Sequence, residues 1–450
     1  MRTTSRLLTA LLGLAAAAPA RPAVVEASSN TMVIAGQQLR GALAGETPGL
    51  DTVAPIYELL SVRARDLQNP LRIEGLEAVF SGWASYDLGD VRWSSGTPDR
   101  FTGDITTGYL RGSFYQRRIT VRVGREFVVA GNGRMLQIDG GDILLRLPAS
   151  FTLSAFTGLP VSQRFGSRYG YRTWNPAGGD RAYGGRLGWS LPWAGFPGRS
   201  LDLGVSAVVV TDNGYVARKD ASADLRLQAW RDWVLTANAT YSLAAERLAE
   251  LRADVLWNAT PKLFVNLGAK RVAPDLFLSQ NSILSVFASS NRTDWSAGLR
   301  YQLSHSTSVG VDYAALVEPT GEGSKTELGH QAAGRVEWEH GKSKVGGEVS
   351  YLQALGLGSK ENGYTGARLF GRHDYRRLFV SADATAYFLK EEVNGNKTSV
   401  NGTLAAGMPL RHGWEVVLAG HAGVTPLLSQ QFDLMAKLVY NQTYRTSEVK

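Results

Sequence analysis

The chain has 450 residues, enough for two or three ordinary domains, yet its composition does not shift along its length, and one large repetitive architecture accounts for that. Its 50 Gly, 11 Trp, 17 Tyr and 15 Phe stand against 16 Pro, a balance that suits a big antiparallel sheet with uninterrupted strands. Cysteine is absent, which excludes disulfide scaffolds, thiolate metal sites and cysteine nucleophiles, and the net charge of +8 comes without a zinc finger, RNP motif or basic helix, which argues against nucleic acid as a partner.

Residues 1–20 read as a cleavable secretory signal: Arg2 and Arg6, an apolar run from Leu7 to Ala18, and a small-residue exit at Ala18-Pro19-Ala20. The run is shorter than the about 20 apolar residues a spanning helix needs. No Cys follows it, so it is not a lipoprotein signal, and its loss leaves a net charge of about +6. Residues 21–72 form a periplasmic lead-in. Within it Ile56, Leu59, Leu60 and Val62 recur at helical spacing behind Pro55, which predicts a short helix over Pro55 to Leu67.

From Glu74 onward the period is two. In residues 220–229, Ala221, Ala223, Leu225, Leu227 and Ala229 alternate with Asp220, Ser222, Asp224, Arg226 and Gln228, a strand with one oily and one wet face. The same pattern recurs around Val121, Leu251, Val265, Ala297 and Leu434. Such segments predict an all-β, antiparallel up-and-down barrel over residues 73–450, with about 18–20 strands and an even number if both ends are periplasmic.

The connections alternate between tight and generous. Tight ones fall at Gln116-Arg117, Pro148, Arg231-Asp232, Thr260-Pro261, His305, His340-Gly341, Asp374-Tyr375 and His412-Gly413; generous ones cover 90–101, 158–181, 272–292, 318–326 and 391–397. Short turns on one rim and long loops on the other characterise outer-membrane barrels, and Trp257, Trp338, Tyr351, Trp414 and Tyr440 near segment ends suit their aromatic girdles. The oily face is diluted with Ala and Gly, as at Ala382, Ala384, Ala386 and Gly402, and the wet face carries charge at mid-strand. Lipid and a water-filled lumen accept both; a sheet-on-sheet core accepts neither.

Catalytic constellations are nearly absent, so no enzyme, cofactor or metal is expected. His305-Ser306-Thr307-Ser308 resembles the His-x-Ser strand of outer-membrane phospholipases, but at a tight turn. Gly131-Asn132-Gly133 is a hairpin signal rather than a phosphate loop. The informative set is the wet face, where Arg111, Arg118, Arg122, Arg186, Arg226, Arg252, Lys270, Arg300, Arg335, Lys344, Arg368, Arg372 and Lys437 share a side with Asp139, Asp224, Glu250, Asp254, Asp312, Glu337, Glu348, Asp383 and Glu415. Rings of fixed charge select solutes by sign, and an Arg track passes a polyanion; pairing across strands would instead stiffen the wall. Arg164, Phe165, Arg168, Tyr169, Tyr171, Arg172 and Trp174 concentrate in one loop, which folded inward makes a basic, aromatic constriction.

The stretch Val121 to Gly140, with Gly124-Arg125 before a Gly-containing loop and Asp139-Gly140 on the return, resembles an element of porin-like families; with the basic lumen, the chain resembles the polysaccharide-export barrels, of the alginate type. Those barrels end on an aromatic residue, whereas here Arg445 to Lys450 follow Tyr444. The resemblance implies export of a polysaccharide, with lipid, the polymer and periplasmic export components as partners. The alternatives are a general diffusion porin, a plugged structural or adhesive barrel and, third, a lipase-like barrel.

Overall fold

The computed structural model describes residues 24–40, 49–67, 73–89, 101–129, 135–163, 171–172, 179–192, 199–212, 214–273, 276, 291–319, 326–353, 363–426 and 430–445. Its architecture is a closed antiparallel β-barrel of 22 strands. They are β1 (Val24–Arg40), β2 (Pro55–Arg65), β3 (Glu74–Asp87), β4 (Phe101–Phe114), β5 (Ile119–Val129), β6 (Met135–Arg146), β7 (Phe151–Pro160), β8 (Arg181–Pro192), β9 (Ser200–Asp212), β10 (Tyr215–Trp230) and β11 (Trp233–Ser242). The second half comprises β12 (Arg247–Thr260), β13 (Leu263–Val272), β14 (Arg292–Gln302), β15 (Thr307–Pro319), β16 (Thr326–His340), β17 (Ser343–Gln353), β18 (Gly363–Tyr375), β19 (Leu378–Val393), β20 (Asn396–Pro409), β21 (Trp414–Val424) and β22 (Gln431–Arg445).

Each strand pairs with its sequence neighbours, and β1 closes the ring by pairing with β2 on one side and β22 on the other, from Val24↔Arg445 to Ala35↔Leu434. A further short strand, Gly49–Val53, pairs only with the far end of β1. At the usual strand spacing of about 4.8 Å and a tilt of about 40°, such a ring is roughly 40 Å across between backbones.

The first two strands correct the sequence reading. Pro55–Arg65 is a strand, not a helix, so the barrel starts at Val24 and the count exceeds 18–20. Its register against β1 puts Ile56, Leu60 and Val62 on the outer face and Leu59 on the enclosed one. That one apolar residue on the wet side imitated helical spacing. Glu58 falls on the outer face, where it accepts hydrogen bonds from Ser29 Oγ and Thr31 Oγ1, each 2.5 Å away. Satisfying that carboxylate from the neighbouring strand is what lets it sit on an apolar surface.

The expected turn asymmetry is present. Arg231-Asp232, Pro261-Lys262, Gly341-Lys342 and Arg376-Arg377 each close two strands in two residues, and Tyr115–Arg118 and Leu410–Gly413 in four, all on one rim. The opposite rim carries the longest connections, but it also joins β9 to β10 in two residues and β11 to β12 in four, and over 391–397 β19 and β20 run on to a tight Asn394-Gly395 turn. Asn394 at φ 50 and Gly395 at φ 76 take the left-handed conformations such a hairpin demands.

Candidate functional site: the charged lumen

Alternation along every strand sorts side chains into two faces. The outer face exposes large apolar groups: Leu369 is 70% accessible, and Leu404 and Leu434 are each 66%. Such a surface suits hydrocarbon, and aromatic residues bound it on the short-turn side. There Phe151 stacks on Trp189 at 6.0 Å, Trp233 pairs with Trp257, and the Trp414 and Tyr440 rings lie 4.6 Å apart. Backbone groups on such a wall need partners inside the protein.

One place shows how that is met. A bulge in β4 places an extra residue at Thr106, and the freed carbonyls of Ile105 and Thr106 accept hydrogen bonds from Arg125 Nη1 at 3.0 Å and Gln137 Nε2 at 2.6 Å. Arg125 also binds Asp139 through two bonds, of 2.6 and 2.8 Å, and Asp104 at 2.9 Å, tying β4, β5 and β6 together. Asp139 therefore belongs to the outer face, opposite Arg125, and not to the lumen as its charge suggested. Gly124 is required just before it: at φ 138 its backbone passes so close to β4 that a Cβ would lie 2.1 Å from the Gly108 carbonyl oxygen. The Gly-Arg…Asp-Gly element that carried the resemblance to export barrels is thus accounted for by wall construction.

On the enclosed face lie Arg111, Arg122, Arg186, Arg226, Arg252, Lys270, Arg300, Arg335, Lys344, Arg368, Arg372 and Lys437, as the alternation predicted. Arg118 does not join them; it sits exposed in the turn before β5. Most of the lumen guanidiniums are engaged. Arg122 reaches Asp142 at 2.6 Å and Glu126 at 3.0 Å, and Arg252 reaches Asp254 at 2.5 Å. Arg368 is paired with Asp383, Arg372 with Asp374 at 3.0 Å, and Arg111 stands 4.0 Å from Glu77, which also binds Arg63 at 2.9 Å. Glu348, Arg335, Glu337 and Lys344 form a chain with separations of 2.5, 3.6 and 3.2 Å.

Arg186 spans an entire strand. From β8 it crosses β9 to grip Asp224 on β10, with contacts of 2.5 and 2.9 Å, and it passes over Gly204, where a Cβ would lie 2.2 Å from Nη2. Two of the inward-facing phenylalanines are covered by arginines. Phe370 covers Gly346 with Arg368 5.0 Å above its ring, and Phe379 covers Gly407 with Arg372 at 4.3 Å.

Four lumen cations have no carboxylate within salt-bridge distance among the described residues: Arg226, Lys270, Arg300 and Lys437. Arg300 lines a polar recess of about 160 Å³ with Asn266, Ser308, Asp312, Arg335 and Glu337. On another arc, between β5 and β9, the lumen side is filled. Val128, Ile138, Phe156, Ala182 and Val208 pack there as a buried apolar cluster, and Glu126, paired in register with Ile138, is fully buried.

Arg164, Phe165, Arg168, Tyr169 and Trp174 of the expected constriction lie outside the described residues, as does Gly131-Asn132-Gly133. Of the same loop, the backbone of Tyr171-Arg172 pairs with Ser162-Gln163. His305 and Ser306 sit in an exposed turn where Ser304 Oγ accepts the amides of Ser306 and Thr307, so those hydroxyls serve the turn.

No family model matches the chain, and no curated protein matches it in sequence. Among solved structures it is similar to Pseudomonas aeruginosa OccK5 (OpdH), at 8% identity and a TM-score of 0.44 over 94% of this chain and 98% of that one. It is also similar to Acinetobacter baumannii OccAB4, at 8% identity and a TM-score of 0.44, with the same coverage. A third is the outer membrane protein opdK from Pseudomonas aeruginosa, at 9% identity and a TM-score of 0.42 over 94% of this chain and 99% of that one.

Proposed function

We propose that the chain is an integral outer-membrane channel through which small, mainly anionic solutes diffuse. One observation carries this reading: the strands close a ring whose enclosed face is charged along its length while its outer face exposes leucine and aromatic groups. A wall of that kind has one polar passage and one apolar exterior, and charge fixed in the passage acts on whatever crosses it.

Pairing favours passage of small solutes over export of a polymer. A polyanion needs successive guanidiniums open to it, whereas Arg122, Arg186, Arg252, Arg335 and Arg368 are each held by a carboxylate. The free cations Arg226, Lys270, Arg300 and Lys437 are spread over β10, β13, β14 and β22, which suits brief contact with a small anion. Planar-bilayer recording tests the reading. Discrete conductance steps with a reversal potential on the anion side are expected; a silent bilayer, or dominant cation permeability, would overturn it.

A further inference from the structure

The outer wall over β19–β22 and β1 carries an open furrow of about 560 Å³. Ala406, Gly420 and Ala436 keep its floor low between the ridges Leu404, Leu418 and Leu434. Directly below, on the short-turn rim, are the turns Arg376-Arg377 and Leu410–Gly413. From Val380 at the edge of the furrow to Arg377 is three residues, about 10 Å of strand. The Trp414–Tyr440 ring pair stands between furrow and rim, at the depth where a bilayer turns from hydrocarbon to headgroup.

The rim cations differ from the paired arginines of the lumen. Arg376, Arg377 and Arg411 are exposed, neither turn contains a carboxylate, and none of the three makes an ion pair among the described residues. Arg376 lies 5.5 Å from the Tyr375 ring, which steadies its guanidinium without neutralising it. An apolar trough that ends at three uncompensated guanidiniums matches one kind of molecule, an acyl chain joined to an anionic phosphate.

We propose that this furrow and the Arg376/Arg377/Arg411 cluster form a binding site for an anionic glycerophospholipid of the periplasmic leaflet, with an acyl chain on the alanine and glycine floor and the phosphate at the arginines. The site rests on the membrane placement of the barrel and not on what crosses the lumen, so failure of one leaves the other standing.

Native mass spectrometry of the full chain, folded in detergent with phosphatidylglycerol or phosphatidylcholine of equal chain length, tests it. The unaltered protein should retain phosphatidylglycerol about tenfold more than phosphatidylcholine. Replacing Arg376, Arg377 and Arg411 together by Gln should equalise the two. Ala436→Leu, which fills the trough and leaves every charge in place, should also lower phosphatidylglycerol retention, whereas Arg231→Gln with Lys262→Gln, on other turns, should not. Equal retention of both lipids by the unaltered chain would overturn the proposal. So would phosphatidylglycerol retention unmoved by Ala436→Leu, because that marks a phosphate site without a lipid trough. Heat-modifiable migration identifies folded variants; if the triple replacement does not fold, Ala436→Leu and Arg411→Gln alone decide.

Discussion

Replacing Arg226, Lys270, Arg300 and Lys437 together by Glu is expected to move the channel's reversal potential from the anion side to the cation side. These four lumen cations have no carboxylate partner among the described residues, so the change exchanges fixed positive charge for negative with no ion pair broken. The permeability ratio of chloride to potassium should fall several-fold, and the effect should shrink in concentrated salt as the Debye length contracts. A matched quadruple replacement at the paired residues Arg122, Arg186, Arg335 and Arg368 should act differently. It strands Asp142, Asp224, Glu348 and Asp383 beside new like charges, and assembly should suffer before selectivity can be read. Reversal potentials in asymmetric potassium chloride check the first set, and heat-modifiable migration the second.

The second large effect belongs to the outer face. Leu434→Arg places a charge where hydrocarbon surrounds the wall, and near mid-depth this costs about 2–4 kcal/mol. Asn401→Arg, one strand pair away on β20 but directed inward, should cost little because the enclosed face already accommodates arginines. Equilibrium unfolding from phospholipid vesicles gives both numbers. Equal penalties would mean that the two faces see the same surroundings.

Much of the barrel was legible because a single periodicity repeats. Wherever the outer residues are Leu, Val or Ala and the inner ones are charged, as in β10 and β12, the strand and its orientation follow from the sequence alone. The N-terminal strands escaped for local reasons. Leu59 put an apolar residue on the wet side, Glu58 put a carboxylate on the oily side, and the hydroxyls that make Glu58 tolerable come from β1, some 27 residues earlier. Asp139 was assigned inward by its charge, and only the register against Arg125 and the bulge at Thr106 show why a charged group belongs on that outer wall.

Alternation gave the inward direction of the strand arginines, though not the turn position of Arg118, and it did not give their partners. Which carboxylate an arginine meets depends on register, and Arg186 reaches past a whole strand because Gly204 leaves room. A pattern of alternation carries the face of a residue and not its neighbour two strands away. The rim cations were visible as turn residues; their contrast with the paired lumen set emerged only once the ion pairs were known.

Because the chain contains no cysteine, single cysteines placed at successive positions of β20 report its two faces directly. In proteoliposomes a membrane-impermeant maleimide should modify Asn401→Cys, Thr403→Cys and Ala405→Cys and spare Val400→Cys, Gly402→Cys and Leu404→Cys, a strict alternation of water and lipid. Labelling that runs through consecutive positions, or protection of the whole series, would contradict a wall with a wet inner face and an apolar outer one.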